Sequence, residues 1–164
     1  MKMLWTICCV CMICFFSLAA YVQINDPDGP LWMAIYGLPA VLTFLQVSFF
    51  KFKSHWMISR LMWLHTAVCF LGALYISYGL LITKDTSNYG NLRWYEKEEG
   101  REMGGLVFVV LWLMLCQFHD RSMSGAWLSA FCIPVVVSPV CLWLYTYYDE
   151  AYREKLPDHC KQAL

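Results

Sequence analysis

Residues Trp94 to Cys116 read WYEKEEGREMGGLVFVVLWLMLC, so a cluster of charges runs directly into an apolar segment. The uncharged part, Met103 to Phe118, would span about 24 Å as a helix, which is less than the roughly 30 Å of a hydrocarbon core. On its far side the chain meets His119, Asp120 and Arg121. We therefore expect the helix to extend back into the preceding charges, which places carboxylates at the membrane boundary.

The composition predicts an integral membrane protein. Hydrophobic residues make up 60% of the chain and aromatic residues 17%, far above the usage of soluble proteins. Twelve Lys or Arg balance twelve Asp or Glu, and this lack of a basic surplus argues against nucleic-acid binding. With 164 residues, most of them consumed by membrane spans, we expect a single transmembrane domain.

Five apolar segments approach the length that a helix needs to cross hydrocarbon, where every backbone amide must be paired. They predict an all-α integral membrane bundle of about five transmembrane helices, at residues 3–22, 31–50, 56–83, 99–118 and 126–148, followed by a tail at 149–164. Pro134 and Pro139 should kink the fifth helix. The first segment also has features of a cleavable signal peptide, but its apolar length favours retention.

The distribution of basic residues favours a cytoplasmic N-terminus. Lys2 precedes the first segment, and the linker between Val22 and Leu31 contains no Lys or Arg. The loop and tail on that second side carry more basic residues in total, which favours the reverse orientation. Because the first helix usually dominates, we predict that the N-terminus is cytoplasmic. The sequence does not identify the organelle.

The charges at the start of the fourth segment form a candidate site. Glu98 and Glu102 lie about 40° apart on a helix, and Arg101 is within reach of an ion pair with Glu98. Residues that continue the stripe of Glu98 and Glu102 are Gly105, Val109, Trp112 and Cys116, and Gly105 would allow close approach of another helix. The alternative to a functional site is a capped helix start. Carboxylates such as Glu99 stabilise the N-terminus of a helix, because they lie at the positive end of its dipole.

The linker between the first two segments adds three candidates, Asn25, Asp26 and Asp28. Their residue types, with Pro27, Gly29 and Pro30, are also typical of a turn. With an odd number of spans, one membrane face gathers Asp26, Asp28, Glu98, Glu99 and Glu102. Within this set Asp26, Asp28, Glu98 and Glu102 are candidate ligands of a divalent cation, since carboxylate oxygens suit magnesium, manganese or calcium.

His65 is a further candidate, because ionisable groups inside a span usually face the bundle interior and mark function. We expect His65 to lie close to the membrane surface, because the third segment is longer than a span requires. The cysteines of the first helix, Cys8, Cys9, Cys11 and Cys14, include a C-x-x-C-x-x-C pattern. On an apolar helix their sulfurs cannot converge as loop-borne metal ligands do, so we interpret them as small apolar residues.

Three stretches resemble the transmembrane protein 220 family. They are Gln23 to Asp28 (QINDPD), Tyr36 to Thr43 (YGLPAVLT), and Glu98 to Glu102 (EEGRE) followed by Gly105 and Leu106; Pro157 to Lys161 (PDHCK) near the end is similar to vertebrate members. The resemblance covers nearly the whole chain. It implies a small multi-pass membrane protein with no defined activity, and it supplies no catalytic or binding residues.

Three hypotheses for function remain. The first, which we favour, is a non-enzymatic binding or scaffold protein whose acidic face recognises a cationic headgroup, a partner helix or a divalent ion. The second is a metal-dependent membrane hydrolase acting on a lipid-like substrate, with His65 or His159 assisting the carboxylates. The third is a proton or ion pathway through Glu102 and His65. Lipid is the expected partner, along with partner helices or further copies of the chain.

Overall fold

The protein is all-α over the residues that the computed structural model describes, which are 2–48, 55–83, 98–120 and 125–148. The helices are α1 (Lys2–Val22), α2 (Gly29–Ser48), α3 (His55–Thr83), α4 (Glu98–Asp120) and α5 (Gly125–Tyr148), with a 3-10 turn at Gln23–Asn25 after α1. This confirms the predicted fold class. Residues 49 and 50 of the predicted second span, the tail 149–164 and its His159 lie outside the described residues.

Within the described residues, four segments are long and apolar enough to cross a membrane, namely Met3–Asn25, Gly29–Ser48, Trp56–Ile82 and Glu99–His119. In α5 the apolar segment is shorter, Ala130–Leu142. The chain is therefore a multi-pass membrane protein. The fourth helix begins at Glu98, so it extends back into the charges as its short apolar run requires. That the helices form a single domain stays a prediction.

Helix α4 supplies much of the core. Val109, Trp112 and Leu113 are completely buried, and the Trp5 ring of α1 stacks on Trp112 with 5.8 Å between centroids. Phe16 of α1 is also completely buried. Helix α1 therefore contributes buried and stacked aromatic side chains to the same core as α4.

Helix α3 packs antiparallel to α4. Leu106 lies against Gly72, and further along α3 the Ser77 hydroxyl donates to the Met103 sulfur at 3.0 Å. At the other end of α3 the Arg60 guanidinium lies over the Trp56 ring, 4.7 Å from its centroid. This exposed cation–π contact fits the interfacial position expected for both residue types.

The α1–α2 linker is a tight hydrogen-bonded turn. The backbone N–H of Asp26 donates to the Gln23 carbonyl at 3.1 Å, and that of Gly29 donates to the Asp26 carbonyl at 3.0 Å. A Cβ atom on Gly29 would overlap the carbonyl oxygen of Gln23, so only glycine fits here. The linker thus forms a turn, as its residue types predict.

Helix α5 continues through both of its prolines. Because Pro139 has no N–H, the carbonyl of Val135 lacks its helical donor. The Ser138 hydroxyl donates to that carbonyl at 3.1 Å. A freed backbone acceptor inside the membrane is thus paired locally, as hydrocarbon demands.

Candidate functional site

The predicted stripe on α4 is the face that packs on α2. Trp112 and Cys116 are completely buried; the Trp112 indole donates to the Thr43 hydroxyl at 3.0 Å, and the Gln46 amide donates to the Cys116 carbonyl at 3.1 Å. Because later residues of α2 meet later residues of α4, the two helices run parallel. The stripe is therefore an interhelical interface that leads up to Glu102.

Gly105 allows the close approach that its position in the stripe predicts. The neighbour is a side chain, because a Cβ on Gly105 would overlap the Tyr36 hydroxyl of α2. The Glu102 carboxylate has an electrostatic interaction with Tyr36. Tyr36 and Glu102 are both half-buried. The first acidic turn of α4 is thus connected to an aromatic residue of α2.

A second carboxylate reaches the same aromatic residue from the linker. The Trp32 indole donates to the Asp28 carboxylate at 2.7 Å, and the Trp32 ring stacks on Tyr36 with 5.9 Å between centroids and 25° between planes. Trp32 is buried at 7% exposure, whereas Asp28 is exposed. At one end of the bundle, Asp28, Trp32 and Tyr36 are joined by direct contacts, and Glu102 interacts electrostatically with Tyr36. We call these four residues the boundary site.

The other predicted site residues occupy exposed and half-buried positions. Asn25 and Glu99 are exposed, and Asp26 and Arg101 are half-buried. Glu98 begins α4, but its side chain lies outside what the structure describes, so its ion pair with Arg101 stays a prediction. Among the described residues, three or more His, Cys, Asp or Glu side chains do not come together in a way that could hold a metal ion. The four-carboxylate cation site includes Glu98 and stays a prediction.

His65 faces the bundle interior, and its contact is with backbone. Its Nε2 lies 3.1 Å from the carbonyl oxygen of Ile35, and since a carbonyl only accepts, the ring donates. In a regular helix Ile35 would accept from residue 39, which is Pro39 and has no N–H. His65 therefore supplies the donor that α2 lacks. The Cys69 sulfur is 3.6 Å from the same nitrogen.

The cysteines behave largely as small apolar side chains. Cys8, Cys9, Cys69, Cys116 and Cys132 are buried, while Cys11, Cys14 and Cys141 are exposed on their helices. The C-x-x-C-x-x-C pattern thus divides between buried and exposed positions. This division fits the apolar interpretation of the pattern.

Sequence reasoning missed Trp32 and Tyr36. The signal for Trp32 is its position four residues after Asp28, which places both side chains on one helix face. Tyr36 could have been found from the stripe formed with Trp32 at the same spacing. Gln46 and Gln117, polar residues within apolar segments, were also missed.

The comparison with known proteins agrees with this architecture. Residues 15–118 match the family model described as "Transmembrane family 220, helix". The chain is 41% identical over 161 residues to Transmembrane protein 220 of Xenopus laevis, an alignment that covers 98% of this chain and 84% of that protein. No solved structure matches the chain.

Proposed function

The chain belongs to the transmembrane protein 220 family, and from this premise we propose that it is a non-enzymatic binding protein whose boundary site holds the ammonium group of a lipid headgroup. The observation that carries the proposal is the connection of two carboxylates from separate segments through Trp32 and Tyr36. The site lies at a helix end, where headgroups meet the protein.

Charge and surroundings favour a cationic ligand. Asp28 belongs to a linker without Lys or Arg, and Glu102 is half-buried one turn into α4. Carboxylates close to hydrocarbon attract a cation more strongly than carboxylates in bulk water, because the local dielectric constant is lower. The faces of aromatic rings such as Trp32 and Tyr36 add a favourable interaction with ammonium groups.

The contacts of His65 favour a binding protein over a hydrolase or an ion pathway. The predicted proton pathway would use His65 as a relay, and the predicted hydrolase would use His65 or His159 to assist its carboxylates. The Nε2 atom of His65 instead faces the carbonyl of Ile35 within the bundle. The metal-dependent hydrolase and the ion pathway stay predictions, and the geometry gives the binding protein more support.

Lipid binding by the full-length protein tests the proposal. Delipidated protein in non-ionic detergent is titrated with phosphatidylcholine or phosphatidylglycerol of identical chains, and native mass spectrometry measures the bound fraction. The two lipids share the phosphate and differ in the ammonium group. We expect tighter binding of phosphatidylcholine. A charge contact is worth about 1 kcal/mol in bulk water and more at a lower dielectric constant, so Glu102→Gln should weaken this binding by at least about fivefold.

Glu99→Gln is the matched control, because it makes the same change at an exposed position on the same helix turn. It should leave phosphatidylcholine binding unchanged. Equal binding of the two lipids by the unaltered protein would refute the proposal, as would equal losses in the two variants.

A further inference from the structure

Two buried glutamines lie at the end of the bundle opposite the boundary site. Gln46 is 6% exposed and Gln117 is 5% exposed. Gln46 donates through Nε2 to the Cys116 carbonyl, so its amide lies beside the residue that precedes Gln117. Both positions are near the ends of α2 and α4, which finish at Ser48 and Asp120.

The amides of these glutamines are incompletely paired by protein. The Oε1 atom of Gln46 and both the Nε2 and Oε1 atoms of Gln117 are buried and have no hydrogen-bond partner among the described residues. Leaving a buried amide group unpaired costs about 1–3 kcal/mol. Within a membrane bundle, lipid cannot offset this cost, because hydrocarbon has no donors or acceptors.

The missing partner has a defined chemistry. Two carbonyl oxygens require donors, and one NH₂ group requires acceptors. A side chain of another protein or a lipid headgroup would have to reach atoms that are closed off from the surface. Water is small and offers both donors and acceptors, and internal water commonly pairs such groups in proteins.

We propose that Gln46 and Gln117 form a binding site for internal water between the ends of α2 and α4. This site is independent of the boundary site and of lipid binding. It would pair the two amides and connect α2 to α4 beyond the direct bond from Gln46 to Cys116. The site therefore joins helices inside the membrane through a bound polar ligand.

The chain is well suited to a direct test, because its only glutamines are Gln23, Gln46, Gln117 and Gln162. The full-length protein is labelled with side-chain ¹⁵N-glutamine and indole ¹⁵N-tryptophan and placed in deuterated lipid nanodiscs. Gln46→Met and Gln117→Met variants assign the two buried signals. Water is then detected by nuclear Overhauser and rotating-frame cross-peaks from the NH₂ protons to the water frequency.

We expect Overhauser cross-peaks to water, of the sign produced by long-lived binding, at both Gln46 and Gln117. The Trp112 indole, which is buried and bonded to Thr43, should show no water cross-peak and serves as the internal control. Cross-peaks between the two glutamine amides without any to water would overturn the proposal. Absence of water cross-peaks from resolved Gln46 and Gln117 signals would overturn it as well.

Discussion

The Nε2 atom of His65 on α3 lies 3.1 Å from the carbonyl oxygen of Ile35 on α2, an acceptor that Pro39 deprives of its helical donor. A residue expected to serve a functional site thus pairs a backbone group of a neighbouring helix. The contact falls next to Tyr36 of the boundary site. We infer that His65 fixes the path of α2 at the level where Tyr36 meets α4.

His65→Leu should destabilise the protein by about 1–3 kcal/mol, because it leaves the half-buried Ile35 carbonyl without a donor inside the membrane bundle. In a Pro39→Ala background the restored N–H of residue 39 can donate to that carbonyl, so the same substitution should cost less than half as much. Unfolding free energies measured in bilayers by steric trapping test this double-mutant cycle. An equal cost in both backgrounds would show that His65 stabilises the protein by another route.

Gly105→Ala should also destabilise the protein by about 1–3 kcal/mol, because the added Cβ overlaps the Tyr36 hydroxyl and overpacks the interface. Tyr36→Phe should recover part of that loss, since two ring atoms of Tyr36 would remain 3.1 and 3.4 Å from the new Cβ. Thermal unfolding in detergent gives the ranking of the variants.

Gly104→Ala provides the control for this pair. Gly104 has open space around its Cβ position, and alanine has the higher helix propensity, so stability should stay equal or rise by up to about 1 kcal/mol. If alanine at positions 104 and 105 has the same effect, close packing of α4 against Tyr36 is ruled out.

Thr43→Val should cost about 0.6 kcal/mol, the average for an interhelical hydrogen bond within a bilayer, because it removes the acceptor of the Trp112 indole. Thr66→Val is the matched comparison, since its hydroxyl donates to the Met62 carbonyl of its own helix at 2.7 Å. We expect a smaller loss for Thr66→Val. A reversed order in equilibrium unfolding would contradict the importance of the α2–α4 contact.

The helices could be predicted from the sequence because hydrocarbon thickness and backbone pairing restrict what a membrane segment can be. The short apolar run after Glu102 predicted that α4 begins within the charges, and it begins at Glu98. Helical periodicity also predicted the stripe through Trp112 and Cys116, whose burial the structure shows. These inferences need only the chain's own local geometry.

The contacts between residues of different helices could not be predicted, because these contacts depend on the register between the helices. Nothing within α4 specifies that Gly105 meets Tyr36, and nothing within α3 specifies that His65 meets Ile35. Pro39 does predict that the carbonyl four residues earlier lacks its helical donor, but it does not predict that His65 replaces that donor. Gln46 and Gln117 carry neutral amides, and the apolar segments around them do not indicate which groups those amides meet.

The most direct test of the central claim measures the distance between the Glu102 carboxylate and a lipid ammonium group. The protein, labelled with ¹³C-glutamate, is reconstituted with phosphatidylcholine carrying ¹⁵N in the choline, and solid-state dipolar recoupling is recorded; Glu102→Gln assigns the signal. We predict dephasing of the Glu102 carboxylate, corresponding to a separation within about 6 Å, and none for exposed Glu99. A Glu102 signal that is well resolved and not dephased would contradict the claim.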